Sequence, residues 1–181
     1  MWWSDSRQTI RPGRRSVACM TVLYTTMPSP IDELLILADE NRLVGLVMLP
    51  HPEPGPDWAR ADHDPFLVEA RHQLGAYFAG ERTDFELPLA PEGTPFQQQV
   101  WAALREIPYG QTISYGELAR RIGNPQASRA VGLANGRNPI SVIVPCHRVI
   151  GANGALTGYG GGLGRKQVLL SLEQGVTALP V

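Results

Sequence analysis

The 181-residue chain has only two cysteines, Cys19 and Cys146, and no CxxC pair. That scarcity argues against a disulfide-stapled secreted domain and a cysteine-based zinc module, and it fits a reducing compartment. No apolar run approaches the ~20 residues that a membrane span needs. The opening residues Met1-Trp2-Trp3-Ser4-Asp5 lack the apolar stretch of a secretory signal. A cytoplasmic protein without membrane association is expected. Histidine is sparse as well. His51, His63, His72 and His147 are dispersed without ligand spacing, so no metal is expected. The glycine-rich run at 158–164 carries no GxGxxG at the required offsets and follows no clear strand, so no dinucleotide cofactor is expected. There is no internal repeat and no low-complexity tract.

What is present is a globular composition, 43% hydrophobic and 18% charged, in a length that suits one domain or two small ones. The net charge of −1 hides an asymmetry. Residues 94–181 hold eight basic and three acidic groups, a balance of +5; residues 1–93 hold eight and fourteen, a balance of −6. A basic half suggests a polyanionic partner, and chance distribution of surface charge is the competing explanation.

Residues 1–19 are polar, rich in Arg and Ser and aperiodic, and read as a disordered extension; 176–181 read as a tail. Strands are expected over 21–27, 33–39 and 42–49, the last two joined by a hairpin at Glu40-Asn41. The Pro-, Asp- and Gly-dense stretch 51–64 reads as a loop. Asp64-Pro65 then looks like a cap and first helical position, with Phe66, Ala70, Leu74 and Phe78 at helical spacing and Gly80 as the stop. Pro88–Gly93 is the expected boundary between an N-terminal domain, 20–92, and a C-terminal domain, 93–175.

The second half is punctuated by helix signals. Thr94-Pro95-Phe96-Gln97 fits a capping box opening a helix with Phe96, Val100, Trp101, Leu104 and Ile107 on one face. Ser114 and Glu117 form a second box for a short helix ending at Arg121. Asn124-Pro125 is expected to open a further helix running to about Asn135, and 165–173 a last one. The pair around Ile122-Gly123-Asn124 has helix–turn–helix form. Its second helix holds Ala127, Ser128, Ala130, Gly132 and Ala134, all small, around a lone Arg129. Small residues allow close approach to another helix or to a nucleic-acid groove, and an arginine there can fill the place of an extruded base.

The most informative residues are Pro145-Cys146-His147-Arg148-Val149. A free cysteine is usually an inert core residue. Here an imidazole is adjacent and can draw the thiol toward thiolate, with Arg148 adding positive potential. Neighbours in an extended segment point apart, so a bridging water between Cys146 and His147 is expected rather than direct contact. Glu173 is a candidate to orient His147. Cys19 has no such company.

Taken in order, Gly93-Thr94-Pro95-Phe96-Gln97, Ile107-Pro108-Tyr109-Gly110, Ser114-Tyr115, Arg129-Ala130-Val131-Gly132, Asn138-Pro139, Pro145-Cys146-His147-Arg148-Val149 and Gly158-Tyr159 resemble the O6-alkylguanine-DNA alkyltransferases, or methylated-DNA–protein-cysteine methyltransferases. The resemblance runs from about Thr94 to Glu173. It implies an α+β protein: a small N-terminal β-sheet plus helix of ribonuclease H-like form, then a mainly helical, winged-helix-like domain with the helix–turn–helix. It implies direct, stoichiometric transfer of an alkyl group from guanine O6 in double-stranded DNA to Cys146, with O4-methylthymine as a further candidate substrate. His147 and Glu173 would activate the thiol, Tyr115 would protonate the purine, and Asn138 would brace the cysteine region. Pro145, Val149, Tyr159 and Gly160 would line the substrate pocket. Arg129, with Ala127, Ser128, Ala130 and Gly132, would hold the minor groove and support base flipping. A monomer, able to act cooperatively on DNA, is expected. Two other readings compete: a non-catalytic lesion-binding or regulatory module with Cys146 as core, and a thiol hydrolase.

Overall fold

The structure is a computed structural model and describes residues 21–48, 50 and 54–175. The expectations for 1–19 and 176–181, and those for Cys19 and His51, lie outside the described residues.

Three strands open the chain: β1 (Val22–Met27), β2 (Leu34–Asp39) and β3 (Arg42–Met48). The β2–β3 connection is a two-residue turn. Glu40 and Asn41 take φ of 47° and 58°, the left-handed values that match the twist of a tight hairpin. The stretch read as a loop contains a fourth strand, β4 (Trp58–Arg60), which pairs in parallel with β1. Its three residues are too few to show alternation, and the sheet edge supplies the pairing. The order is β3-β2-β1-β4.

Helix α1 (Pro65–Phe78) begins as expected, with the Asp64 carboxylate accepting from the amides of Phe66 and Leu67. Its buried face, however, is Leu67, Ala70, Leu74 and Tyr77, turned one position from the expected Phe66–Phe78 stripe. Phe66 and Phe78 are partly buried at the margin. This shift brings Tyr77 into the core and, as shown below, to the site.

Helix α2 (Pro95–Arg105) carries the full capping box: Thr94 Oγ1 accepts from Gln97 N at 3.3 Å and Gln97 Oε1 from Thr94 N at 2.8 Å. Val100, Trp101 and Leu104 are buried, and Trp101 Nε1 donates to the carbonyl of Ala134 at 2.9 Å. After the short strand β5 (Ile113–Ser114) comes α3 (Tyr115–Arg121). Ser114 caps the amide of Glu117, but Glu117 pairs with Arg120 and Arg121 instead of reaching back, so this box is half made. Helix α4 (Ser128–Gly136) starts later than the Asn124-Pro125 signal. Asn124 closes a turn by accepting from Ala127 N at 3.0 Å, and the helix proper has no side-chain cap. Strand β6 (Val149–Ile150) pairs in parallel with β5, and α5 (Leu163–Glu173) ends the described chain.

One contact between the halves fixes the position of the cysteine segment. The outer edge of β3 is covered by two passing segments. Leu43 exchanges hydrogen bonds with Pro88 and Ala90, and Leu46 with Pro139 and Ser141. This satisfies an edge that would otherwise be open and anchors residues 139–141 just upstream of Cys146. Among the described residues, no helix is long and apolar enough to cross a membrane.

Candidate active site

The run 140–144 is not a strand. Val142 has φ of 71°, an outlier for a β-branched residue, and Ile143 N bonds back to Ser141 O at 2.8 Å. Two residues later Cys146 N bonds back to Val144 O at 2.8 Å around Pro145. These are two three-residue turns in succession. Asn138 holds them: its Nδ2 donates to Val144 O at 2.7 Å and its Oδ1 accepts from Ile140 N at 3.0 Å. The left-handed Val142 conformation costs on the order of 1–3 kcal/mol, and the surrounding hydrogen bonds maintain it. Cys146–Arg148 then form one 3-10 turn rather than the extended segment expected.

Cys146 is 4% exposed and His147 is fully buried. His147 Nε2 lies 2.8 Å from Glu173 Oε1. A carboxylate can only accept, so Nε2 carries the hydrogen. Burial, the largest influence, pushes the His147 pKa down against the pull of Glu173, which favours the neutral ring. The remaining nitrogen, Nδ1, is then a lone pair available as a base.

Glu173 is the hub. Oε1 accepts from His147, from Arg148 Nη2 at 2.8 Å and from Tyr77 Oη at 2.7 Å; Oε2 accepts from Arg148 Nε at 2.8 Å and Gly110 N at 3.1 Å. Burial alone would raise its pKa. The His147 and Arg148 hydrogen bonds and their charges overcome that and hold the carboxyl far below its usual range. Gly110 has φ of 74°, and a Cβ there would sit 2.9 Å from the Glu173 carbonyl, so the close approach needs glycine.

The thiol itself is pushed up by burial, with the Asn138 side chain and the Lys166 charge opposing. The resting group is therefore a thiol, and the positive potential expected from Arg148 is directed elsewhere. The Arg148 guanidinium is turned to Glu173 and to the Ile107 carbonyl. Lys166, the chain's single lysine, takes its place. Its side chain is fully buried and Nζ donates to Val149 O at 2.5 Å and Thr157 O at 2.9 Å. Sequence reading missed it, although a lone lysine spaced at i−7 from Glu173 on a helix with Leu169 and Leu170 was a usable signal.

Tyr115 opens α3 and shares its hydroxyl hydrogen between the carbonyls of Thr157 (3.0 Å) and Gly158 (3.1 Å). Burial raises its pKa, and the Cys146 charge adds to that. Tyr159 also senses Cys146, and its hydroxyl faces Met48 Sδ at 3.9 Å. Val149 is buried beside the turn, and Gly160 is exposed in the loop. Pro145 lines a different space, a cavity of about 290 Å³ walled also by Ile107, Tyr109 and Arg148; Tyr115, Tyr159 and Gly160 do not line it. On α4 and its N-cap residue Ala127, Arg129 and Ala130 are exposed, and Ala127, Ser128 and Gly132 are half-buried. Gly132 leaves ordinary van der Waals room to the Tyr115 ring, 3.8 Å from a would-be Cβ, so tight α3–α4 packing does not by itself require it. Among the described residues no group of three or more His, Cys, Asp or Glu is placed to hold a metal.

Comparison with known proteins covers both halves. Residues 22–91 match the family model described as 6-O-methylguanine DNA methyltransferase, ribonuclease-like domain, and residues 95–175 the DNA binding domain of the same name. A methylated-DNA–protein-cysteine methyltransferase of Methanosarcina acetivorans is 56% identical over 156 residues, covering 83% of this chain and 97% of its own length. One from Mycolicibacterium paratuberculosis is 52% identical over 151 residues, covering 83% and 92%. A crystal structure of Mycobacterium tuberculosis OGT in complex with DNA superposes with a TM-score of 0.79 at 54% identity, covering 85% of this chain and 94% of that one.

Proposed function

The chain belongs to the methylated-DNA–protein-cysteine methyltransferase family, and on that premise we propose that Cys146 is the acceptor in a single-use repair of O6-alkylguanine in DNA. The observation that carries this reading is the protonation pattern behind the cysteine: Glu173 accepts a hydrogen bond from His147 Nε2, which leaves Nδ1 as a base on the residue next to the buried Cys146.

The step balances simply. The Cys146 hydrogen passes through a bridging water to His147 Nδ1. Sγ forms a bond to the alkyl carbon while the carbon–O6 bond breaks, and the electron pair stays on the purine. Tyr115 donates a proton to the purine, since a neutral base leaves more readily than an anion; solvent restores the phenol. Lys166 stabilises the sulfur as charge develops and fixes the Val149 and Thr157 carbonyls. Asn138 keeps the turn in shape. The product is a thioether, which does not leave, so the protein is consumed.

Duplex DNA is the substrate carrier in this reading, which the solved complex of the M. tuberculosis relative with DNA supports. Helices α3 and α4 act as the helix–turn–helix, with Ala127, Ser128, Ala130 and Gly132 lining a narrow groove and Arg129 filling the gap left by the flipped base. Arg129 supports that role because, among the described residues, it has no side-chain partner to give up. Flipping costs a few kcal/mol. Losing part of that support in Arg129→Ala should slow repair of duplex by ~10–100-fold and leave reaction with free O6-benzylguanine unchanged. Equal slowing of both removes the flipping role. A cytoplasmic monomer fits the reading, with O4-methylthymine a secondary substrate.

The function is tested by counting. Duplex carrying labelled O6-methylguanine should transfer label to a plateau of one methyl per protein molecule. No transfer favours a binding module, and continued turnover favours a hydrolase.

A further inference from the structure

Asn135 sits on the buried face of α4, 1% exposed, among Val131 and Ala134. Apolar residues are the usual occupants of such a face. Asn135 instead reaches the cysteine: its Nδ2 donates to Cys146 O at 3.3 Å. That bond fixes the amide's orientation, because the reverse would set two acceptors against each other. Oδ1 is then left buried without a protein partner. Among the described residues, Asn135 Oδ1 and His147 Nδ1 are the two buried side-chain polar atoms in that condition. Each unsatisfied group of this kind costs on the order of 1–3 kcal/mol. Both belong to side chains that flank Cys146, one bonded to its carbonyl and one next to it in the chain.

We propose that Asn135 is a positioning residue for the proton relay: its Oδ1 and His147 Nδ1 together hold the water that bridges Cys146 and His147. The inference rests on the function proposed above. Buried waters make about three hydrogen bonds, and the hydrogen count here allows one arrangement. Asn135 Oδ1 and neutral His147 Nδ1 are both acceptors, so they take both water hydrogens. The water can then only accept from the third partner, the Cys146 S–H. Asn135 thus turns the water into a base toward sulfur, and the proton leaving Sγ passes to water as water gives one to Nδ1. Without Oδ1, the water is free to donate to sulfur instead, an orientation that cannot remove the proton.

The test is the Asn135→Leu variant, assayed with free O6-benzylguanine so that DNA binding plays no part. Its transfer rate near neutral pH should fall by at least ~10-fold. The midpoint of its pH–rate profile should move up by about one unit, a tenfold change in ionisation. The groups that face Cys146 and share that profile are His147, Lys166 and, behind His147, Glu173 from α5, Tyr115 from α3 and Tyr159 from the preceding loop. The melting temperature should fall modestly, because the buried Cys146 carbonyl loses its donor. An unchanged rate and pH midpoint, with or without a change in melting temperature, overturns the proposal. If the leucine does not fold, Asn135→Ala carries the same two expectations. Wild-type protein that transfers nothing overturns the Cys146 reading itself; active wild type with an unaffected variant overturns only the role of Asn135.

Discussion

Replacing Glu173 by Gln should cost the protein both its stability and its rate. The carboxylate accepts five hydrogen bonds, three of them from the buried, charged or polar groups of His147 and Arg148. An amide offers one acceptor oxygen, and its NH2 meets a donor. Arg148 is 6% exposed and stays charged, so its partner is lost while its burial remains. Breaking a buried pair in this way costs ~3–5 kcal/mol, which in a protein of this size lowers the melting temperature by roughly 6–20 °C. The amide also no longer forces the hydrogen onto His147 Nε2, and loss of a well-placed general base slows reaction by ~10²–10⁴-fold. The pH dependence follows. His147 has a lowered pKa in the fold, so the unfolded chain binds more protons as pH drops below about 6.5, and stability falls. Glu173 is also lowered, so its contribution is present above about 4.5 and is lost as pH falls further. The wild-type melting temperature should decline below pH 6.5 and steepen below 4.5. Glu173→Gln should lose the second, steeper part. A variant as stable and as fast as wild type, with the same acid profile, contradicts the hub assigned to Glu173.

Cys146→Ser should abolish transfer and spare binding. A serine hydroxyl is far less acidic than a thiol, and neither a neutral imidazole nor Lys166 ionises it usefully. Cys146 is 4% exposed and lies off the α4 surface that carries Arg129. Affinity for duplex containing O6-methylguanine should therefore stay within about twofold, the scatter of a neutral substitution. Label transfer should be undetectable. Residual transfer by the serine variant, measured alongside its duplex affinity, assigns the acceptor elsewhere.

Much of the fold was written locally. The Thr94/Gln97 box, Asp64 before Pro65 and the Glu40-Asn41 turn are each set by atoms within four residues, and local chemistry decided them. What escaped was decided at a distance. Three residues of β4 are a strand because β1 lies beside them. The phase of α1 slipped by one position because Phe66 and Phe78 match the stripe's spacing as well as Leu67 and Tyr77 do; only the partner Glu173, 96 residues away, separates them. Asn124-Pro125 offered a good cap, but the chain used it to close a turn. At the site, Cys146, His147 and Glu173 were legible as types of residue, and their mutual distances were not. Lys166 and Asn135 were passed over because each reads as an ordinary helical residue until the Cys146 segment is packed against α4 and α5. The two tight turns around Val142 and Pro145 gave no signal beyond a proline, since the apolar β-branched run before it holds no glycine, asparagine or aspartate.

The most direct test is intact mass spectrometry of the protein after incubation with one equivalent of duplex carrying a single O6-methylguanine. A gain of one methylene mass, mapped by peptide fragmentation to Cys146, is the predicted result. Unmodified protein beside an unrepaired strand, or a methyl group on any other residue, contradicts it.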